Sequence, residues 1–281
     1  PAGEFVPPPG QIGTASSPGS RSMFRPLRLF LLLIGFLAGI AGCLETTGPG
    51  GGGGRTVLGF PDGKTRVLFI GNSLTYVNDL PSLMVAVARQ VGVEDLVAGM
   101  VAFPDFDLEL HWAEGSARES LEKSKWEYVV MQQGPSSQPQ NQVHLASWSA
   151  KFAPLIRAAG AEPVLYMVWP SLLRSQDFAG VHQSYRNAAA EIGGIFAPAG
   201  DAWIARFESD PNAPLYSPDG FHPSAYGTYL AAIVLLERIK GIDPTTLPPA
   251  IPGLAGIPED AIRALQQAAK VALDRNEKRP Q

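Results

Sequence analysis

Residues 66–75 read Arg-Val-Leu-Phe-Ile-Gly-Asn-Ser-Leu-Thr, and this stretch decides the fold. Val67 to Ile70 is an unbroken apolar run of strand length, the pattern of a parallel strand buried on both faces rather than of a strand with one wet side. Gly71-Asn72-Ser73 ends the run, and residues 81–91 then resume with helical spacing through Leu83, Met84, Val87 and Val91. A buried strand, a short turn and a helix form the first half of a βαβ unit, which implies a sheet covered by helices on both faces.

Working outward, the same alternation recurs. Strands are expected at 96–101, 128–131, 163–168 and 195–198, with helices at 142–159, 177–192 and 201–208 between them. Residues 223–240 form a further helix, apolar through Leu230, Ile233, Val234 and Leu235. Residues 258–274 close the pattern, with Pro258 in the first turn, Glu259 and Asp260 at the positive end, and Ile262, Leu265, Ala269 and Leu273 as the buried stripe. The expectation is one three-layer α/β/α domain over residues 64–281, built on a parallel five-stranded sheet.

Upstream of that domain the composition changes three times. Residues 1–22 are rich in Pro, Gly and Ser, have no apolar period, and read as a disordered extension or a tag. Residues 23–42 carry Arg25 and Arg28 ahead of fourteen uncharged residues, shorter than the ~20 residues that a spanning helix requires. This run ends at Ile40-Ala41-Gly42-Cys43, which resembles a bacterial lipobox, and Cys43 is the only cysteine in the chain. Residues 23–42 are thus expected to be a lipoprotein signal peptide and Cys43 a lipidation site, leaving the protein extracytoplasmic and anchored to a bacterial membrane. Residues 43–63 contain five consecutive glycines from Gly50 to Gly54 and read as a flexible tether. They are no phosphate loop, since Arg55-Thr56 stands where a P-loop needs Lys-Ser/Thr.

Composition excludes other classes. A net charge of −4 and no basic cluster argue against a nucleic-acid partner. A single cysteine and four scattered histidines offer no zinc site, and no cofactor motif is present, so none is expected. Nothing in the sequence sets the oligomeric state.

Two loops carry chemistry. In an open parallel sheet ligands bind beyond the carboxyl ends of the strands. Ser73 lies there, near a helix N-terminus whose N–H groups favour developing negative charge. Residues 217–224, Ser-Pro-Asp-Gly-Phe-His-Pro-Ser, precede the long helix. Asp219 and His222 are three residues apart, close enough for the carboxylate to hold one ring nitrogen and leave the other as a base for a hydroxyl nucleophile. Either loop alone is as well explained by a turn or a helix cap. No Gly-x-Ser-x-Gly elbow occurs, which argues against the usual α/β-hydrolase architecture.

Together the two loops resemble the SGNH (GDSL-like) hydrolase family, over about residues 64–240. They are most similar to a bacterial lipoprotein branch with "FIGNSxT", "YVVxQ" and "DGxHPS" segments. The resemblance implies flavodoxin-like layering, with Ser73 as nucleophile, His222 as general base and then acid, and Asp219 as its orienter. It also implies an oxyanion hole made by the Ser73 N–H, a glycine N–H after the second strand and an Asn side chain after the third. This sequence departs from that pattern. The segment 104–111 lacks glycine, so the Asp105 N–H or, were the strand to end early, Gly99 is the candidate. After the third strand stand Gln132-Gln133-Gly134-Pro135-Ser136, where Gln132 or Gln133 is the candidate amide, Gln132 first, and Ser136 the gapless counterpart. His111 and Trp169 are candidate substrate contacts, with a structural histidine an equal reading of His111; Tyr166 is a core residue, and His144 and His182 are read as partnerless surface positions. Asp105, Asp107 and Glu109 make a weaker alternative, a glycosidase carboxylate pair.

The resemblance implies a serine esterase acting through an acyl-enzyme on a small-molecule or glycan ester, with acetyl on carbohydrate as first substrate. Two alternatives stay open: a non-catalytic glycan-binding surface lipoprotein with a degenerate pocket, and a long-chain lipase or thioesterase.

Overall fold

A computed structural model describes residues 54–56, 63–250 and 256–276. The extension, the signal segment, Cys43 and most of the tether lie outside the described residues, as do 277–281.

The central strand is β2 (Thr65–Gly71), and Val67 to Ile70 are fully buried in it. Each such side chain stabilises the fold by about 1.5–3 kcal/mol relative to exposure. β3 (Leu96–Ala102) pairs parallel with one edge of β2, and β4 (Tyr128–Met131) pairs parallel with the other. β5 (Glu162–Tyr166) and β6 (Ile195–Ala197) continue outward, again parallel. The five-strand order β3-β2-β4-β5-β6 reverses direction at β2, so the chain leaves β2 and β4 towards opposite faces of the sheet. A ligand crevice is expected between those two strand ends. The expected parallel five-stranded sheet is present. To it the structure adds β1 (Gly54–Thr56), three residues running antiparallel along β3 within the segment read as tether.

Helices cover both faces. α2 (Leu80–Arg89), α8 (Ala225–Lys240) and α9 (Glu259–Arg275) pack in succession, with α7 (Ala199–Ser209) against α8 and α9. α3 (Leu108–Glu114), α4 (Ser116–Lys123), α5 (Pro139–Ala158) and α6 (Phe178–Glu191) form the other group. α8 is buried nearly all round, from Gly227 through Glu237 and again at Ile239, because the sheet, α2, α7 and α9 enclose it. α9 buries the expected stripe of Ile262, Leu265, Ala269 and Leu273.

Several boundaries differ from expectation. β5 ends at Tyr166, two residues early, and α8 begins at Ala225 because the Ser224 side chain caps it by accepting from the Tyr226 and Gly227 N–H groups. α2 stops at Arg89, leaving Val91 36% exposed rather than on the buried stripe. α3 and α4 were not expected. Within 104–111 the Asp107 side chain accepts the Leu110 N–H at 2.9 Å and starts α3 where the composition suggests a loop. Among the described residues no helix is long and apolar enough to cross a membrane.

Candidate active site

The nucleophile candidate sits on a turn that its neighbours hold from all sides. β2 ends at Gly71, and a side chain there would meet Thr75 Oγ1 and Gln132 Oε1 at about 2.5 Å, so only glycine lets β4 approach. Asn72 then caps α1 (Ser73–Tyr76): its Oδ1 accepts the Leu74 N–H at 3.1 Å. The Asn72 N–H donates to Gln132 Oε1 (3.0 Å), and Asn72 Nδ2 donates to the Phe106 carbonyl (2.9 Å). Ser73, 8% exposed, is the first residue of α1, and neither its N–H nor its hydroxyl has a hydrogen-bond partner among the described residues.

The base candidate is held as firmly. Residues 217–220 form a turn closed by the Gly220 N–H on the Ser217 carbonyl (2.9 Å), with Gly220 at φ +68° where a side chain would be strained. Asp219 Oδ1 accepts the N–H groups of Phe221 (2.9 Å) and His222 (3.0 Å), while Oδ2 takes His222 Nδ1 at 2.6 Å. The hydrogen bond from the imidazole, helped by that from Phe221, holds the Asp219 carboxyl below its ordinary range. A carboxylate-bound Nδ1–H leaves Nε2 as the lone-pair nitrogen, and Nε2 has no partner among the described residues.

Asn78 brings the two loops together. Its Nδ2 donates to the Pro223 carbonyl (3.0 Å) and to Thr228 Oγ1 (2.9 Å), tying the segment after Ser73 to the residue after His222. Asn78 and Asp79 take left-handed backbone (φ 58° and 49°), which short polar side chains tolerate, and this kink turns the chain from α1 into α2. The Val77-Asn78-Asp79 turn was readable as a break, but nothing in the sequence announced its cross-chain partner. No hydrogen bond joins Ser73 Oγ to His222 Nε2 in this structure; catalytic bonds of this kind commonly tighten only in the Michaelis complex.

The oxyanion candidates separate by their remaining hydrogen-bonding capacity. Gln132 is fully buried, and both its amide hydrogens are engaged: Nε2 donates to Asn72 Oδ1 (2.9 Å) and to the Gln133 carbonyl (2.5 Å). Its Oε1 accepts from the Asn72 N–H and from Thr75 Oγ1 (2.8 Å). Gln132 is therefore a clamp beneath the nucleophile turn, a correction to its reading as an oxyanion donor. Gln133 Oε1 accepts the Leu108 N–H (3.3 Å) and Nε2 donates to Ser136 Oγ (2.8 Å), leaving one amide hydrogen uncommitted. Buried Tyr185, which no sequence motif singles out, props this loop: its hydroxyl accepts the Gln133 N–H and donates to the Gln133 carbonyl. Asp105 adopts φ +58°, the backbone that glycine would supply, and its N–H has no acceptor among the described residues. Gly99 pairs with Leu68 in mid-sheet and is out of reach. Ser136, also at positive φ, donates to the Gly134 carbonyl.

Of the remaining candidates, Tyr166 lies in the core as expected and several others sit elsewhere than expected. His111 and Trp169 are fully buried, so neither reaches a substrate from where it lies. His111 Nε2 donates to the Gly71 carbonyl at 2.7 Å, its Nδ1 is buried without a partner, and burial pushes its pKa down. It is a neutral strut under the nucleophile turn. Trp169 stacks on Trp203 (3.7 Å between centroids) and donates Nε1–H to the Phe221 carbonyl (3.0 Å), bracing the base loop from the core. Tyr166 is fully buried. His144 is paired, with Glu109 at 3.0 Å and Asp107 at 3.7 Å, and His182 is paired with Asp201 at 2.8 Å. These two pairings share one reason: the heads of α3 and α7, where the acids stand, pack against the helices α5 and α6 that carry the histidines. The Asp105, Asp107 and Glu109 set is thereby split, two facing His144. Among the described residues no group of His, Cys, Asp and Glu is placed to hold a metal ion.

Serine at the head of a helix after the central strand, opposite an Asp–His turn at the same sheet edge, is the layout of a serine-hydrolase scaffold. No family model matches the sequence, and no curated protein matches it. Solved structures do. A candidate SGNH hydrolase from Slackia heliotrinireducens is 28% identical, with 62% of this chain and 98% of that one covered at a TM-score of 0.54. A DUF4886 family protein from Bacteroides uniformis is 20% identical over 74% and 94% of the two chains, with a TM-score of 0.62. A lipase/acylhydrolase from Enterococcus faecalis is 16% identical over 63% and 95%, with a TM-score of 0.50. The chain has the SGNH (GDSL-like) hydrolase fold.

Proposed function

We propose that the protein is a serine ester hydrolase in which Ser73 is the nucleophile, His222 the general base and then acid, and Asp219 its orienter. The observation that carries this reading is the Asn78 bridge, which fastens the Ser73 segment beside the His222 loop while the Ser73 hydroxyl and His222 Nε2 stay uncommitted. Ser73 Oγ attacks the ester carbonyl as its proton passes to His222 Nε2. The tetrahedral intermediate collapses with cleavage of the bond between the acyl carbon and the alkoxy oxygen, and His222 returns that proton to the departing alcohol. Water, deprotonated by the same nitrogen, then attacks the acyl carbon, the bond to Ser73 Oγ breaks to release the acid, and His222 returns the proton to Ser73 Oγ. The Ser73 and Asp105 N–H groups and the free amide hydrogen of Gln133 are the donors available to the oxyanion. The 28%-identical SGNH neighbour supports this reaction class.

The wild-type domain is expected to hydrolyse a short-chain chromogenic ester and to be labelled by a fluorophosphonate; Ser73→Ala is expected to lose both. Wild type that neither turns over nor labels would leave the glycan-binding reading instead. We also propose that Cys43 carries a lipid anchor, a reading supported by the lipobox pattern alone. Cys43→Ala in a bacterial host should shift the protein from the membrane to the soluble fraction; unchanged membrane association would refute it.

A further inference from the structure

A cavity of about 430 Å³ opens beside the base loop. Its wall is apolar and aromatic: Leu172, Phe178, Ile204, Phe207, Pro211 and Tyr216. Ser175 and Glu208 complete the wall. The Tyr216 hydroxyl donates to the Pro170 carbonyl (2.7 Å) and the Glu208 carboxylate pairs with the Arg275 guanidinium (2.9 Å), which leaves the Ser175 hydroxyl as the polar group open to a ligand. What the cavity offers is therefore mostly hydrocarbon surface with one hydroxyl, in the size range of small-molecule sites.

The cavity shares its wall with the base loop. Tyr216 immediately precedes that loop and bridges to Pro223, the residue after His222. From the other side the Leu172 N–H donates to the Gly220 carbonyl at 2.8 Å. In this wall Leu172 is 55% exposed, and its neighbour in sequence Leu173 is 93% exposed, two of the few large apolar side chains left in water among the described residues. Exposed apolar groups around a concave apolar site mark binding rather than packing.

We infer that this cavity is the subsite for an apolar leaving group, so that the preferred substrates are esters of alkyl or aryl alcohols rather than of bare sugars. The inference rests on the esterase reading above, because the side of the scissile bond follows from the role of His222. The nitrogen that protonates the departing oxygen lies next to the alcohol portion, and two residues of the cavity wall, Tyr216 and Leu172, are joined to the loop bearing that nitrogen, at Pro223 and Gly220.

The test compares ethyl, butyl and hexyl acetates, whose leaving groups have similar intrinsic reactivity, with ethyl acetate, butanoate and hexanoate. KM should fall by about fourfold per methylene, from ~0.8 kcal/mol per buried CH₂, along the alcohol series and stay nearly level along the acyl series. Leu172→Gln, at an exposed position, and Phe207→Ser should flatten the alcohol series. Binding of 1-hexanol to the full-length Ser73→Ala protein, followed by tryptophan fluorescence from Trp203 beside Phe207 and Tyr216, reads the cavity without turnover. A fall in KM along the acyl series instead, or equal KM values across both series in an active enzyme, would overturn the subsite and leave the esterase standing. If no ester is turned over, saturable hexanol binding weakened by Leu172→Gln supports the apolar site while the esterase reading falls. Absence of hexanol binding overturns it.

Discussion

Replacing Gln132 by leucine and Gln133 by leucine separates a clamp from an oxyanion donor. Gln132 makes four hydrogen bonds from a fully buried position, with Asn72 N–H, Asn72 Oδ1, Thr75 Oγ1 and the Gln133 carbonyl. Leucine has a similar volume and can make none of them. Asn72 Oδ1 keeps its bond from Leu74, the Gln133 carbonyl keeps its bond from the Tyr185 hydroxyl, and the Thr75 hydroxyl can rotate, so one backbone group is left unsatisfied, the Asn72 N–H. At about 1–3 kcal/mol per buried unpaired group, the expected loss is roughly 1–3 kcal/mol. For a domain of this size that lowers Tm by roughly 2–12 °C. The rate falls as well, because a nucleophile misplaced by about 1 Å costs on the order of 10²-fold. Gln133→Leu removes the uncommitted hydrogen while Tyr185 still holds the backbone of residue 133. It also takes the 3.3 Å acceptor from the Leu108 N–H, so its expected signature is a kcat lower by about 10²–10³-fold with a Tm loss no larger than that of Gln132→Leu. Thermal melts and steady-state kinetics on one chromogenic ester read both quantities. A Gln132→Leu protein with wild-type Tm and a large loss in kcat would refute the reasoning and restore Gln132 to the oxyanion hole.

Three further outcomes follow from the same geometry. Asn72→Asp keeps the acceptor for Leu74 but turns an oxygen towards the Phe106 carbonyl where Asn72 donates, so it should lower kcat by about tenfold or more with little change in KM; equal kinetics would show that the Asn72–Phe106 bond does not position the site. Trp169→Phe keeps the stack on Trp203 and loses the N–H to the Phe221 carbonyl, so the base loop should loosen, with kcat falling and Tm dropping by only a few degrees; an unchanged kcat would count against a bracing role. His111 has its pKa lowered by burial, so on acidification the unfolded chain takes up a proton near the ordinary value of 6.5 while the folded one does not. Stability is therefore full above that pH and falls below it, by at most about 1.4 kcal/mol per pH unit, until the folded-state pKa is passed. His111→Phe should flatten the ΔG–pH curve below 6.5; an unchanged slope would show that His111 already titrates normally in the fold.

Much of the fold was legible because the signals that specify it are local. Val67 to Ile70 and Tyr128 to Met131 are apolar on both faces, and only a central parallel strand satisfies such a run. The helices α8 and α9 announced themselves by apolar spacing and by the residues at their heads. α3 escaped because it is seven residues long and its caps, Asp107 and Gly115, read equally well as turn residues. The Asp219–His222 pair was legible for a related reason: both partners lie within one four-residue turn.

The roles of Gln132, His111 and Trp169 were not legible, because they depend on which buried polar group each side chain finds across the chain. A glutamine after β4 looks like a donor waiting for substrate until its sixty-residue separation from Asn72 is closed by sheet pairing. The sheet explains why it must be closed. β2 and β4 are neighbours, and their loops diverge to opposite faces, so the amides between them face a gap in backbone hydrogen bonding that something has to fill. Gln132 fills it, and the next residue, Gln133, is left with a hydrogen to spare. A crevice at a switch point thus commits one amide to the scaffold and leaves its neighbour with a free hydrogen, a division that residue type alone cannot reveal.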